Sequence, residues 1–290
     1  MMSSHDFWIL LTAALVAAGL GFIGCFLIVR RLSMVGDAIS HSVLLGIVAA
    51  FLLTGSLGLV PVVLGAGTAG LLSTWTVELL RRAGLQEDAA TGVTFTSFFG
   101  LGVVLLTLYA GDVHLDTQHV LYGDLVYVPF DELVWRGRAL GPRAAWTVGG
   151  AFLASLTLTG MFFKEFKLVA FDPALAAVLG LPVALINGLQ MAMVSLVTVA
   201  AFDSVGAILA VAMLVVPGAT AYLLVDRLER MLAASVLVGV TAALIGYGVA
   251  SRWDLSIAGA MAGAAGLLFT MAFLLGPRHG LLARWRARRV

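Results

Sequence analysis

Apolar runs of helix length, separated by short polar breaks, account for most of this chain. A helix needs about 20 apolar residues to cross the hydrocarbon core of a bilayer. Nine stretches reach that length, at roughly 8–29, 34–54, 58–80, 89–110, 144–163, 184–202, 204–225, 231–250 and 255–275. The pattern therefore predicts an all-α, polytopic membrane protein of about nine transmembrane helices. Only Asp203 and Ser204 part the sixth stretch from the seventh, and Val216-Pro217-Gly218 interrupts the seventh. A proline there removes a backbone hydrogen bond and predicts a kink. The first stretch reads as a retained span, because Met1 to Asp6 carries no basic segment and no A-x-A-like cleavage site follows.

Two connections exceed simple turns. Gly111 to Arg143 mixes Asp, His, Tyr and Pro. Lys164 to Pro182 contains a short helix signal of its own. Asp172 suits an N-cap, Pro173 the first helical position and Gly180 a C-terminal stop. The result is a helix of about two turns, too short to cross a bilayer. No repeat and no low-complexity linker divides the sequence, so residues 1–290 read as a single domain.

Composition agrees with the pattern. The 290 residues are 61% hydrophobic and 11% charged, against about 25% charged for a soluble domain. The net charge of +1 predicts no nucleic-acid partner. The single cysteine, Cys25, allows neither an internal disulfide nor a cysteine-based zinc site. The distribution of charge is more informative. In a nine-span chain Arg30, Arg31, Arg81, Arg82, Lys164, Lys167, Arg227, Arg230 and the tail Arg278, Arg284, Arg286, Arg288 and Arg289 all fall on one side. Arg136, Arg138, Arg143 and Arg252 fall on the other. The positive-inside rule then puts the C-terminus in the cytoplasm and the N-terminus outside the plasma membrane.

The candidate chemistry sits in the second span. Asp37 and His41 are four residues apart, which on a helix puts them on one face about 6 Å apart along the axis. Ionisable groups inside a span are costly and usually face a pathway. A carboxylate with an imidazole suits manganese, iron or zinc better than an alkali ion. The same pair is also compatible with a mutual hydrogen bond, or with a helix end wetted by the cytoplasm. Asp203 reads as a metal ligand, a gate residue or an exposed turn residue. Asp112, His114, Asp116, His119 and Asp124 form either a metal-capturing cluster or a solvated loop that docks a partner. Glu87 and Asp88 suit the start of the fourth helix, and His5 and His279 receive no role. The sequence holds no G-x-x-x-x-G-K-[ST], H-E-x-x-H or G-x-S-x-G, and its only lysines are Lys164 and Lys167. It therefore lacks a phosphate-binding P-loop and the commonest hydrolase signatures, and is not read as an enzyme.

With these residues in view, the chain resembles a known family. Gly36-Asp37-Ala38-Ile39-Ser40-His41-Ser42-Val43-Leu44 is similar to the signature of the ABC-3 permeases, which serve zinc, manganese and iron importers. Five further matches follow in the family's order: Gly84 to Ala90, Leu121 to Asp124, Asp172 to Gly180, Ser204 to Leu209 and Val216 to Ala221. Leu45 departs from the proline the family often carries before Gly46, and Asp203 stands where related members often carry Glu. The resemblance implies a fold similar to the vitamin B12 importer permease and a central pathway on the two-fold axis between paired permeases, here a homodimer. It implies a cytoplasmic ATP-binding subunit that hydrolyses the ATP, and an extracellular or periplasmic metal-binding protein. Asp37 and His41 match the cation-site positions. The segment Asp172, Pro173, Ala174, Leu175, Ala176, Ala177, Val178, Leu179, Gly180 matches the helix that couples to the ATPase. No cofactor is permanently bound; the metal is cargo, with manganese favoured over zinc or iron by the 112–124 stretch and the Phe202-Asp203-Ser204 segment. An ion-coupled secondary metal transporter and an intramembrane metalloenzyme are the alternatives. The first leaves the short helix at 172–180 unexplained, and the second needs a third ligand and a general base that the second span does not supply.

Overall fold

The computed structural model describes residues 4–32, 35–56, 59–109, 125–135 and 138–276, and within these the side chains of Val35, Asp37, Ser40, Leu59, Val63, Glu87, Trp135, Arg138, Asp203 and Ala207 are not described. The cluster at 112–124 and the basic tail from Arg278 lie outside the described residues.

The helices are α1 (Ser4–Val29), α2 (Val35–Thr54), α3 (Leu59–Arg82), α4 (Glu87–Tyr109), α5 (Arg143–Met161), α6 (Phe163–Phe171), α7 (Pro173–Val178), α8 (Val183–Leu224), α9 (Leu228–Trp253) and α10 (Ile257–Leu275). Each of the nine predicted spans falls on one of these helices or on an arm of α8. Among the described residues seven helical segments are long and apolar enough to cross a membrane, and the apolar stretches His41–Thr54 and Ile208–Leu224 are shorter. The helix α6 lies in what the sequence offers only as a connection.

Helix α1 is apolar on every side, as a helix at the centre of a bundle must be. Ala13, Val16, Ala17, Leu20 and Cys25 are fully buried. Around it pack α5, α8 and α9, and α10 joins the same core through α8 and α9. Helices α2, α3 and α4 form a second group that reaches the first through α8. Small residues allow these close approaches, since lipid supplies no hydrophobic drive between helices and backbone contact must replace it. The α-carbon of Gly24 faces the Leu214 carbonyl so closely that any side chain there would collide with it.

Helix α8 is broken within two residues of where the sequence parts its sixth and seventh spans. Its backbone stays helical through Asp203, Ser204 and Pro217, and departs from helical angles at Gly206, with φ 72° and ψ 172°. Pro217 keeps helical backbone angles and lies against Gly21. The break at Gly206 reverses the chain. Gln190 meets Arg30 and Val197 meets Gly19, so the first arm runs antiparallel to α1. A continuous helix would put Leu214 about 26 Å beyond Val197. Instead Leu214 meets Gly24, back toward the Arg30 end. Both arms therefore lie beside the same stretch of α1, and the 42-residue helix crosses twice.

At the end of the bundle away from Arg30, a short 3₁₀ turn (Val128–Phe130) and an antiparallel hairpin, β1 (Glu132–Trp135) and β2 (Arg138–Pro142), cover the start of α1. His5 stacks on Phe130 at 5.4 Å, Trp8 lies against Gly141, and the Tyr247 hydroxyl donates to Asp6 at 2.7 Å.

Candidate functional site

Helix α2 carries Asp37 and His41 one turn apart in helical backbone. The turn that holds them is wedged between three helices. Gly36 lies against the Leu214 side chain of the second arm of α8, and Ile39 against Gly70 of α3. The Ala38 carbonyl accepts from the Ser42 hydroxyl at 2.6 Å and from the Ser73 hydroxyl of α3 at 3.5 Å. Ala38, Ile39 and Ser42 are fully buried. This stretch cannot rotate about its axis without breaking those contacts, so the facing of His41 is set by packing.

His41 is half-buried and meets α4. Its ring lies 5.2 Å from Phe95 and 5.6 Å from Phe99, the second edge-on at 79°. Gly102 of α4 sits against the backbone of Leu44 and Leu45. Residues 41 and 45 of α2 thus pair with rising numbers on α4, and the two helices run parallel. That register puts residues 93–94 at the level of Asp37, and Thr91, one turn before Phe95, most of a turn nearer the start of α4. Thr91 is 2% exposed, and its hydroxyl has no hydrogen-bond partner among the described residues. Its neighbours Thr94 and Thr96 instead bond the carbonyls four residues back, as helical threonines usually do. A buried hydroxyl left over from that pattern is a further candidate site group. Sequence reading missed it, because a threonine in an apolar helix carries no signal of its own.

The side chains of Asp37 and Asp203 are not described, so the structure gives no distance between the two carboxylates and the imidazole. Asp203 stands near the end of the first arm of α8. Its neighbours Phe202, Ser204 and Val205 are buried. Phe202 clusters with Val43, Ala66 and Val199, and Ile47 packs against them. Phe202, next to Asp203, thus meets α2 between about half a turn and two turns beyond His41.

The short helix α7 is built as its sequence predicts. The Asp172 carboxylate accepts from the Leu175 backbone N–H at 2.9 Å, satisfying one of the orphan donors of the first turn. Gly180, with φ +78°, lies in the left-handed region that stops a helix. Ala176 is fully buried and anchors the segment, and α6 is held by Phe166, which lies edge-on to Phe26 at 6.0 Å. The Lys167 ammonium donates to Glu229 at 2.7 Å and ties α6 to α9. Outward, Phe171, Leu175, Val178 and Leu179 are exposed, Val178 by 84%. An apolar patch on a structured, capped segment beyond the spans is the usual mark of a docking surface.

Comparison with known proteins adds what geometry cannot. The model of the ABC 3 transport family matches residues 4–276. The manganese transport system membrane protein MntD of Bacillus subtilis is 47% identical over 97% of this chain and 95% of its own length. The zinc transport system membrane protein TroD of Treponema pallidum is 43% identical over 95% of this chain and 75% of its own. Among solved structures, PsaBC from Streptococcus pneumoniae in complex with Fab superposes with a TM-score of 0.81 at 30% identity, over 99% of this chain and 96% of that one.

Proposed function

The chain belongs to the ABC 3 transport family, and from that premise we propose that it is the transmembrane permease subunit of an ATP-driven importer for a divalent metal, with manganese as cargo. The observation that carries the proposal is the 47% identity to a manganese transport membrane protein along 97% of the chain. Family membership removes the ion-coupled transporter and the intramembrane metalloenzyme as readings.

In this proposal the metal is substrate and passes Asp37 and His41. A carboxylate oxygen and an imidazole nitrogen hold manganese, zinc or iron, and the packed turn at 36–42 keeps both groups on one face. One chain offers two such ligands, while these ions take about four to six. A homodimer with α2 of each copy at its axis supplies a second pair, and water or Thr91 completes the shell. Asp203, beyond His41, acts as a gate or second-stage ligand. The metal-binding protein docks on the outer face, and the ATP-binding subunits dock below on α7. The capped helix, anchored at Ala176 and apolar on its outer face, supports that role. The arginine distribution supports an outward N-terminus and a cytoplasmic C-terminus.

The test is uptake of manganese, zinc and iron together, in cells that lack the native protein and carry variants at matched membrane abundance. Asp37→Ala and His41→Ala should each abolish uptake, Asp37→Asn should retain little, and uptake should require ATP. All should insert normally, because removing an ionisable group from a span lowers its insertion cost. Wild-type rates in the Asp37→Ala, His41→Ala double variant would place the pathway elsewhere.

A further inference from the structure

The imidazole of His41 is walled on its α4 side by two phenylalanines. Phe95 lies 5.2 Å from it with the ring planes tilted by 34°, and Phe99 stands edge-on at 5.6 Å and 79°. We propose that Phe95 and Phe99 are positioning residues: they fix the plane of the His41 ring, and through it the choice among divalent ions. The inference rests on the transport reading of His41 and adds to it what selects the cargo.

Both separations fall in the contact range of aromatic pairs, about 4.5–7 Å between centroids. The two phenylalanines are four residues apart on α4, so they share one face of it. Their contacts differ in kind. Phe95, partly stacked, limits tipping of the imidazole out of its plane, and the edge-on Phe99 limits its turning about the Cβ–Cγ bond. A phenyl ring has no conventional donor or acceptor, so these contacts orient the imidazole without engaging its nitrogens. The walls are themselves held. A Cβ on Gly102 would lie 2.9 Å from the Leu45 backbone nitrogen, so α4 meets α2 backbone to backbone just past Phe99. On the other side of α2, Gly46 and Gly65 of α3 approach each other as closely. Helix α2 is thus gripped between α3 and α4, and the rings cannot withdraw from His41 while those contacts last.

The ring plane matters because an imidazole binds a metal through a lone pair that lies in it. The plane therefore sets the direction of the bond, and the groups that orient a ligand tune the metal it holds. Raw affinity of nitrogen–oxygen sites is lowest for manganese among the first-row divalent ions, so choosing manganese over zinc depends on geometry rather than on affinity. A ring free to swivel follows whichever ion binds it more strongly. Two walls that hold the plane keep the bond direction independent of the ion. An aromatic contact of this geometry is worth a factor of about two to ten in an equilibrium, enough to change the balance between ions that share one set of ligands.

The test reads the ratio of manganese to zinc taken up from an equimolar mixture, by cells that lack the native permease and carry each variant in the assembled transporter. Phe95→Leu keeps an apolar side chain but loses the ring, and should lower the ratio about two- to tenfold. Phe99→Leu should lower it in the same direction. Phe99 is 38% exposed, so this variant opens no buried void and carries the test if Phe95→Leu does not reach the membrane. Phe95→Tyr restores the ring and should keep the wild-type ratio. A defect of folding or insertion lowers uptake of both metals together and leaves the ratio unmoved. An unchanged ratio in both leucine variants would overturn the proposal, as would a ratio that falls as far in Phe95→Tyr as in Phe95→Leu. His41→Ala separates the two readings. Loss of uptake there, beside unchanged ratios in the leucine variants, sinks only the positioning role; wild-type uptake there removes the transport role of His41 and this inference with it.

Discussion

Replacing Gly206 by alanine should destabilise the protein, and replacing Gly100 by alanine should not. At Gly206 the backbone has φ 72° and ψ 172°, a region that is essentially restricted to glycine. Holding a residue with a Cβ there costs about 1–3 kcal/mol. The strain has no easy release. Straightening α8 would carry Leu214 away from Gly24, and Val205, Leu209 and Leu214 are all buried to within 1% exposure. Gly100 lies within α4, and a Cβ added there meets nothing within 4 Å. Alanine is favoured over glycine inside a helix by about 0.5–1 kcal/mol. The same chemical change should thus act with opposite sign at the two sites, with a difference of about 1.5–4 kcal/mol. Thermal unfolding of the two purified variants, followed by loss of the monodisperse species on size exclusion, reads this as Tm values several degrees apart. If Gly206→Ala melts with or above the wild type, the chain does not turn back at Gly206 as described.

Three further outcomes test the site and its surroundings. Thr91→Val removes the unpartnered hydroxyl at nearly constant shape; it should lower metal uptake several-fold at unchanged abundance, and an unchanged rate would make Thr91 a packing residue only. Asp172→Ala removes the cap of α7 and should cost about 1 kcal/mol locally; copurification of the ATP-binding subunit should weaken, whereas Gly180→Trp should block it, and normal assembly of both variants would dismiss α7 as the coupling helix. Cysteines at Ser3 and Ala287 in a Cys25→Ala background should label from outside only at Ser3 with an impermeant reagent on intact cells, and labelling of both would contradict the nine-crossing topology.

The sequence by itself determined the class of this protein and most of its elements. Apolar length and the positions of arginine are one-dimensional quantities, and a bilayer reads them directly: a run either spans the hydrocarbon or it does not. The Asp172 cap and the Gly180 stop were legible for a similar reason, because capping is satisfied within a few residues. Asp37 and His41 could be singled out because a charge inside a span is rare and a four-residue spacing fixes a shared face. What lay beyond reach depended on neighbours distant in the chain. The pattern marks an interruption at Asp203 and Ser204, but that the chain turns at Gly206, one of 33 glycines, and lays both arms of α8 beside α1 is set by contacts with α1. Thr91 gains meaning only because α4 packs beside α2 and places it one turn before the Phe95 that meets His41. Local pattern fixes which segments cross the membrane, but which faces meet is decided by backbone contacts between small residues, and those have no period that a sequence displays.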